Sequence, residues 1–445
     1  MNYVIIGGDA AGMSAAMQIT RNDKEAKIIT LEKGSFYSYA QCGLPYVIGG
    51  KIASTDKLVA RTRETFIEKY GIDARILHEV TKVDAKQKKI IGHNHQDQTM
   101  FELEYDKLLI ATGAEPIIPQ WKGADIDGVH TIKTIPDIQR LQKDIEKHDV
   151  KDVVIVGGGY IGLEMAENLA VLGFTISIIE QAPQLATIFD SDMSESIHQI
   201  ARGANVKLFL EESVTEITGD TRVTNVKTDK RTIPADLVII SVGVRPNTKI
   251  ISETGIELTE YGAIKVNEKM ETSIPDIYAA GDCATQYHRI KQKNDYIPLG
   301  THANKQGRVA GLSMVGIHRT FPGVVGTAIM KFFDYTFGRT GISEKEAKEM
   351  ELAYGTIEAE LPHIAGYYPT PEQLKMKIIY EVGSNTLLGA QIIGKEGVDK
   401  RIDVLATTLF AKMTLDEIED LDLAYAPPYN GVWDPVQQVA RRREK

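Results

Sequence analysis

The sequence predicts an α/β fold class in which two similar βαβ units are followed by a C-terminal α+β region. Two short apolar runs, residues 3–6 and 153–156, each end in a glycine-rich turn and lead into a helical pattern. A second apolar run and an acidic residue follow each helix. Strands that alternate with helices form parallel sheets, so two separate parallel sheets are expected.

The composition is that of a soluble globular protein. The chain has 445 residues, 43% of them hydrophobic and 25% charged, which is enough for about three domains. The formal net charge of −10 argues against nucleic-acid or anionic-membrane partners, which are bound by surplus Lys and Arg. A strand pattern from residue 3 leaves no room for a signal peptide, no run is long enough to span a membrane, and cysteines are few. We therefore expect a cytoplasmic protein.

The first unit has the pattern of a dinucleotide-binding turn. Gly7 and Gly12 lie between the first strand and a helix that runs to about residue 21, and residues 27–31 form the next strand. Such turns bring the backbone close to a pyrophosphate at a helix N-terminus. Glu32 is placed to accept hydrogen bonds from an adenosine ribose. The usual middle glycine of the motif is Asp9 here, so this copy alone is incomplete.

The second unit has the complete motif, with Gly157, Gly159 and Gly162 followed by a helix, a strand and Glu180. Each unit closes with an apolar strand that runs into a glycine turn, at Gly113 in the first unit and at Gly243 in the second. The chain therefore contains two Rossmann-like dinucleotide-binding domains. Two such sites suit an electron path from a soluble nicotinamide to a bound flavin.

Two later segments belong to the same prediction. An apolar strand at residues 277–280 ends at Gly281 and Asp282, and this carboxylate is placed to hold a flavin ribityl hydroxyl. A helix begins near Thr301, and its N-terminus can stabilise negative charge on a reduced ring. After about residue 323 the pattern changes to strands at 330–333, 375–380 and 387–393 with helices at 343–349 and 400–411, which predicts the α+β domain.

Only two cysteines are present, and they are far apart. Cys42 lies in the stretch Ser38-Tyr39-Ala40-Gln41-Cys42-Gly43-Leu44-Pro45-Tyr46, directly after the first unit. Cys283 follows Asp282, and we expect it to be a small buried hydrophobic side chain. Because there is no local cysteine pair, Cys42 must carry out any thiol chemistry alone.

Taken together, these motifs resemble the flavin-dependent pyridine nucleotide–disulfide oxidoreductases over essentially the whole chain. The resemblance implies an FAD-binding domain at 1–115 and 248–322, an NAD(P)H-binding domain at 116–247 and a C-terminal α+β dimerisation domain at 323–445. It implies FAD contacts at Gly7, Gly12, Glu32, Lys33, Val80, Ala111, Thr112, Gly113, Gly281 and Asp282. It implies NAD(P)H contacts at Gly157, Gly159, Tyr160, Ile161, Gly162, Glu180 and Gly243.

The coenzyme preference depends on Glu180. Its carboxylate suits a free ribose 2′-hydroxyl and repels a 2′-phosphate, so we expect NADH to be preferred. NADPH remains possible because a basic side chain such as Arg245 could reach the 2′-phosphate.

Within the family, the stretch 42–46 and the segments 366–369, 397–401 and 425–429 resemble the coenzyme A-disulfide reductases of Gram-positive bacteria. This resemblance implies catalysis by Cys42 through a mixed disulfide with coenzyme A. It also implies that Tyr367 and Tyr425 reach the Cys42 of the partner in a homodimer. The implied substrate-binding residues are Ser14, Gln18, Arg21, Ser38, Gln41 and Asn304; the first three also form one polar stripe on the first helix.

Other functions remain open. An NADH oxidase or peroxidase would cycle a Cys42 sulfenic acid, and a coenzyme A persulfide reductase would use the same cysteine and flavin. A flavin-bearing redox sensor would bind a partner without fast turnover. The histidines do not have metal-ligand spacing, and His93-Asn94-His95 is expected in a polar hairpin loop, so no metal is expected.

Overall fold

The computed structural model describes residues 1–443. The first part of the chain contains two strand–helix units and a three-stranded antiparallel sheet. Its elements are β1 (Asn2–Ile6), α1 (Ala10–Asn22), β2 (Lys27–Leu31), α2 (Leu44–Ile48), α3 (Arg63–Tyr70), β3 (Asp73–Arg75), β4 (His78–Asp84), β5 (Lys89–Asn94), β6 (Thr99–Glu104), β7 (Lys107–Ile110) and β8 (Ala114–Pro116).

The middle of the chain repeats this order. Its elements are β9 (Val129–Thr131), α4 (Ile135–Lys147), β10 (Asp152–Val156), α5 (Tyr160–Ala170), β11 (Thr175–Glu180), α6 (Ser191–Gly203), β12 (Lys207–Leu210), β13 (Val214–Gly219), β14 (Val223–Thr228), β15 (Thr232–Pro234), β16 (Leu237–Ile240) and β17 (Val244–Pro246).

The last part returns to the first sheet and then forms the C-terminal domain. Its elements are β18 (Ile277–Ala279), β19 (Gln286–His288), β20 (Lys293–Asp295), α7 (Gly300–Met314), β21 (Ala328–Phe332), β22 (Tyr335–Gly341), α8 (Glu344–Glu349), β23 (Tyr354–Pro362), β24 (Gln373–Glu381), β25 (Leu387–Gly394), α9 (Val398–Ala411), α10 (Leu415–Glu419) and α11 (Pro435–Ala440).

The two predicted βαβ units form two parallel five-stranded sheets, in the orders β18-β7-β1-β2-β3 and β12-β11-β10-β16-β9. In each sheet the strand before the glycine turn is central: β1 pairs with β2 and β7, and β10 pairs with β11 and β16. These strands are apolar because helices cover both faces of such a sheet. The predicted pair of Rossmann-like domains is confirmed.

The C-terminal region is an antiparallel five-stranded sheet in the order β21-β22-β25-β24-β23, with α9 packed against it. Side chains such as Ile392, Ile402 and Leu405 form its buried core. The predicted α+β class of this region is confirmed. The predicted strand 330–333 and helix 400–411 each begin two residues earlier, at Ala328 and Val398.

One local prediction was wrong. His93 and Asn94 are not in a hairpin loop; they are the last two residues of β5, and His93 lies opposite Glu79 of β4 and Met100 of β6. The ladder extends through these polar residues because both neighbouring strands continue alongside them. His95 does lie in the turn that follows, and its Nε2 donates to Glu79 Oε2 at 2.8 Å.

The segment after Cys42 connects the domains. Leu44 and Val47 of α2 are buried in one core with Ile155 of the second sheet and Phe337 of the C-terminal domain. This burial holds the preceding turn that contains Cys42 (Gln41–Gly43, the Cys42 turn) at the junction of the three domains. Among residues 1–443, no helix has the length and apolar character needed to cross a bilayer.

Candidate active site

The first glycine turn joins β1 to α1 and approaches the end of β7. Gly7 has a φ of +118°, and a Cβ there would lie 2.1 Å from the Ala111 carbonyl oxygen. A Cβ on Gly12 would lie 2.0 Å from the Gly7 carbonyl oxygen. Asp9 has an extended backbone, with φ −113° and ψ −153°, so this position does not require glycine. The incomplete motif therefore still forms the complete turn.

Glu32 follows β2 and faces this turn. Its carboxylate accepts hydrogen bonds from the backbone N–H groups of Gly8 at 2.9 Å and Gly34 at 2.7 Å. Burial raises the pKa of Glu32, and these two N–H donors lower it. The neighbouring Lys33 pairs with Glu79 at 2.6 Å, next to the buried Val80.

The second glycine turn has the same geometry. Gly157 has a φ of +107°, and a Cβ on Gly162 would lie 2.0 Å from the Gly157 carbonyl oxygen. Glu180 accepts hydrogen bonds from the N–H groups of Gly158 and Ala182, each at 2.8 Å. The two acidic residues thus occupy equivalent positions in the two domains, as the sequence spacing predicts.

A continuous cavity of about 1960 Å³ lies between the domains. It opens onto both turns and onto Cys42. Of the residues singled out from the sequence, those that line it are Gln41, Cys42, Ala111, Gly113, Gly157, Gly159, Tyr160, Ile161, Glu180, Gly243, Gly281, Asp282 and Asn304.

The cavity fits two dinucleotides. A Cβ added to Gly159 would meet no atom of the described chain within 4 Å, so the second turn leaves room for phosphates. The buried hydroxyl of Tyr160 has no hydrogen-bond partner within the described part of the chain and borders this space. Helices α1 and α5 both begin at the cavity. Within the described residues, neither of their N-cap residues, Asp9 and Gly159, forms a side-chain hydrogen bond to the first backbone N–H groups of its helix, so these groups are available to bind an anion.

Cys42 lies in a short 3₁₀ turn, Gln41–Gly43, that precedes α2. It is exposed to the cavity. Burial by the surrounding chain raises the pKa of the Cys42 thiol; the Glu164 carboxylate raises it further, and the Lys133 ammonium lowers it. The surrounding chain therefore favours the protonated form of the Cys42 thiol.

Cys283 is fully buried, as predicted. Its Sγ donates to the carbonyl oxygens of Ile110, at 3.3 Å, and Ala280, at 3.5 Å. It packs in the core of the first domain. The two cysteines thus differ in solvent exposure, and only Cys42 lines the cavity.

Sequence reasoning missed two charged residues here. Lys133 lies between β9 and α4 and pairs with Asp282 at 3.3 Å between Nζ and Oδ2. Glu164 lies on α5, one turn after Tyr160, and accepts from the Tyr46 hydroxyl at 3.4 Å. Burial raises the pKa of Glu164 to about 7. The i, i+4 spacing from Tyr160 was the one available signal, since both side chains share a helix face.

The segment around Asp282 joins the first sheet to α7. The Gly281 N–H donates to Gln306 Oε1 at 3.0 Å, and the Tyr296 hydroxyl donates to the Asp282 carbonyl oxygen at 2.9 Å. Gly300, the first residue of α7, lines the cavity. The helix predicted near Thr301 therefore directs its N-terminus at the expected site.

The predicted substrate-binding residues form two groups. Ser14 on α1 lies 3.4 Å from Asn304 on α7, and Gln18 and Arg21 continue the partly exposed stripe of α1. Gln41 lies instead at the Cys42 turn, where its amide donates to Asp9. Ser38 lies three residues before Gln41 and has a φ of +46°.

Tyr367 and Tyr425 are adjacent to each other, with their hydroxyl oxygens 2.9 Å apart. Both are exposed, by 75% and 46%. Neither tyrosine is among the described residues that line the cavity containing Cys42 of the same chain. This placement fits a role in a partner subunit.

Comparison with known proteins identifies the family. Residues 1–307 match the family described as pyridine nucleotide-disulphide oxidoreductase, and residues 327–435 match its dimerisation domain. A curated relative from Pyrococcus abyssi, "NAD(P)H sulfur oxidoreductase (CoA-dependent)", is 40% identical over 98% of this chain and 97% of its own. An "NADH oxidase" from Methanocaldococcus jannaschii is 36% identical over 99% and 98%.

A "Coenzyme A disulfide reductase" from Staphylococcus aureus is 34% identical over 98% of both chains. A solved structure described as an NAD-dependent persulfide reductase from A. fulgidus has a TM-score of 0.96 at 38% identity, covering 99% of this chain and 82% of that one. The resemblance found in the sequence motifs is confirmed. The chain belongs to the pyridine nucleotide-disulphide oxidoreductase family, an enzyme family that uses FAD and NAD(P)H.

Proposed function

We propose that this enzyme reduces coenzyme A disulfide to two coenzyme A thiols with electrons from NADH, through a mixed disulfide between Cys42 and coenzyme A. The observation that supports this most directly is the single exposed thiol in a cavity shared with both dinucleotide turns. The other cysteine is buried, so the second sulfur must come from a diffusible thiol.

We assign the FAD site to the domain formed by 1–115 and 248–322, and the NAD(P)H site to 116–247. The FAD would be held by the turn around Gly7 and Gly12, by Glu32, and by the Thr112, Gly113 and Asp282 segments. When bound, FAD supplies the two-electron relay between the nicotinamide and the disulfide. Gly157, Gly159, Gly162 and Glu180 would hold the nicotinamide dinucleotide, with NADH preferred.

Cys42 carries out the exchange steps. Its thiolate attacks one sulfur of coenzyme A disulfide, forming the Cys42–S–S–CoA bond and releasing one coenzyme A thiolate. Two electrons from NADH then cleave that mixed disulfide, which releases the second coenzyme A and regenerates the Cys42 thiolate. The sum is NADH, one proton and coenzyme A disulfide giving NAD⁺ and two coenzyme A thiols.

The departing thiolates need protons. We assign this role to the hydroxyls of Tyr367 and Tyr425 of the partner subunit, because phenols can donate a proton or a hydrogen bond. This assignment makes a homodimer the active unit. Coenzyme A itself would lie along Ser14, Gln18, Arg21, Ser38, Gln41 and Asn304, with Arg21 paired to its phosphates. The reducing cytoplasm is where we expect this reaction.

Intact-mass spectrometry tests the proposal. Protein purified without reductant should carry an adduct with the mass of coenzyme A that is lost on treatment with a thiol reductant. The adduct should be missing from Cys42→Ser and retained in Cys283→Ser, which is the matched control because Cys283 is buried. Loss of NADH-dependent coenzyme A disulfide reduction should accompany loss of the adduct.

Two other outcomes would assign a different reaction. A single added oxygen on Cys42, together with NADH consumption by oxygen alone, would favour the oxidase reaction that the name of the M. jannaschii relative describes. Faster turnover with coenzyme A persulfide than with coenzyme A disulfide would favour the persulfide reaction named for the A. fulgidus structure. Full activity in Cys42→Ser would overturn all three.

A further inference from the structure

Asp9 occupies a position that the second domain fills with glycine. Asp9 and Gly159 are equivalent in the two turns, and both have negative φ values, −113° and −80°. Neither backbone requires glycine. The difference between the two turns therefore lies in the side chain of Asp9, which the NAD(P)H-type turn does not have.

The Asp9 carboxylate is directed at the Cys42 turn. Its Oδ2 accepts from Gln41 Nε2 at 2.7 Å, and its Oδ1 accepts from the Tyr39 N–H at 3.2 Å. A third bond runs from the Ser38 N–H to the Gly8 carbonyl oxygen at 2.9 Å. The glycine turn and the segment 38–43, which contains the Cys42 turn, are thus joined by three hydrogen bonds, two of which end on one carboxylate.

The bonds to Asp9 are strong enough to fix a side chain. Burial raises the pKa of Asp9 to about 6, and its bonds to Gln41 and Tyr39 lower it, so the carboxylate is mostly ionised above pH 7. Hydrogen bonds to an ionised acceptor are about twice as strong as those between neutral groups. Gln41 and Asp9 both line the cavity beside Cys42.

We propose that Asp9 is a positioning residue of the Cys42 site, which holds the Gln41 side chain and the Cys42 turn against the flavin-binding turn. Its carboxylate fixes the amide donor of Gln41 and leaves the amide oxygen of Gln41 to face a coenzyme A substrate. The substrate part of this inference rests on the proposed function. The restraint on the Cys42 turn does not depend on which disulfide is reduced.

The holoenzyme provides two tests, each with the variants Asp9→Ala, Asp9→Asn, Gln41→Ala and the Asp9→Ala/Gln41→Ala double variant. Asp9→Ala keeps the Cβ and removes only the carboxylate, so it introduces no new clash. Asp9→Asn keeps one oxygen, which can accept from Gln41 Nε2, but its NH2 group would face the Tyr39 N–H, so it removes one of the two bonds. Asp149→Ala, an exposed aspartate whose side chain is 84% accessible, is the control.

The first test is the second-order rate of Cys42 alkylation by iodoacetamide, followed by intact mass. Asp9→Ala should increase the rate about 3–10-fold because the turn is less restrained, and Asp9→Asn, which keeps one of the two bonds, should give an intermediate rate. The double variant should match Asp9→Ala, because Asp9→Ala already removes the contact that Gln41→Ala breaks. An unchanged rate in Asp9→Ala, or additive effects in the double variant, would overturn the positioning role.

The second test is kinetic. Asp9→Ala should raise KM for coenzyme A disulfide about 5–20-fold, while FAD content and the rate at which NADH reduces the flavin stay unchanged. A fall in FAD content or in the NADH step would show that Asp9 serves the cofactor instead. If wild type does not reduce coenzyme A disulfide, the proposed function fails, and the alkylation series still decides whether Asp9 restrains the turn.

Discussion

The charged groups around Cys42 act on its thiol in opposite directions. Glu164 raises the pKa of Cys42 and Lys133 lowers it, although neither side chain is part of a recognisable motif. Lys133 is itself paired with Asp282, and Glu164 accepts from Tyr46. The reactivity of this thiol is therefore set by residues from three separate segments of the chain.

These opposing charges predict opposite shifts in the pH dependence of Cys42. Glu164→Gln removes a negative charge that is present above about pH 7, so the pKa of Cys42 should fall. Lys133→Gln removes a positive charge, so the pKa of Cys42 should rise. The measurement is the alkylation rate of Cys42 between pH 6 and 10. Shifts in the same direction for both variants would contradict this account.

Glu180 predicts the coenzyme preference. Its carboxylate, held by the N–H groups of Gly158 and Ala182, can bond a ribose 2′-hydroxyl and repels a 2′-phosphate. Glu180→Ala should therefore reduce the ratio of kcat/KM for NADH over NADPH by about tenfold. Asp149→Ala is the control: the Asp149 side chain is 84% accessible and is not a predicted coenzyme-binding residue, so its loss should leave the ratio unchanged. A ratio that does not move in Glu180→Ala would refute this role.

At the scale of elements, α1 and α7 pack so closely at Gly307 and Gly311 that a residue with a Cβ would clash with the backbone of α1. A Cβ on Gly307 would lie 2.1 Å from the Ala11 carbonyl oxygen, and one on Gly311 would lie 2.5 Å from that of Ala15. This contact places the N-termini of both helices at the same cavity, where α1 follows the first glycine turn and Gly300 of α7 and Asp282 both line the wall. Close helix packing is thus a condition for the site.

Gly307→Ala should separate α1 from α7. The methyl group would meet backbone atoms that cannot move independently, so the free energy of unfolding should fall by about 3 kcal/mol. FAD retention should fall with it. Gly203→Ala is the matched control, since a Cβ at this helical position meets nothing of the described chain within 4 Å, and stability should stay level or rise by up to about 1 kcal/mol. Equal denaturant midpoints for the two variants would contradict the packing argument.

The elements that the sequence predicted well are those with a local signal. The strands and turns around Gly7 and Gly157 follow from short apolar runs and from glycines that positive φ or close approach requires. Lys133, Glu164 and the bond between Asp9 and Gln41 have no such signal, because each depends on loops from distant segments meeting at one cavity. His93 was misplaced for a related reason: its neighbours in the sheet, not its polarity, decide its conformation.

At the scale of the whole molecule, one chain holds the thiol and the cofactor turns in its cavity but presents its tyrosine pair on the outside. A buried network lies near the two tyrosine segments: the guanidinium of Arg401 donates to the His363 carbonyl oxygen at 2.7 Å and to Asn430 Oδ1 at 3.2 Å. These partners flank the segments that carry Tyr367 and Tyr425. An exposed pair of phenols that faces outward is suited to completing a neighbouring subunit's site.

This arrangement predicts complementation between two defective chains. Cys42→Ser and the Tyr367→Phe/Tyr425→Phe double variant should each reduce coenzyme A disulfide slowly as homodimers. In a heterodimer, one site combines an intact Cys42 with intact tyrosines from the partner, and the other site has both defects.

Random exchange of equal amounts should therefore restore about a quarter of wild-type activity per chain, because half of the dimers are mixed and each has one complete site. Activity is measured after dissociation and reassociation, with each variant put through the same exchange alone as the control. The opposite result is expected if the tyrosines act on the Cys42 of their own chain. In a mixed dimer the Cys42→Ser chain would then lack the thiol, and the other chain would have the thiol without its tyrosines. Mixing would restore no activity.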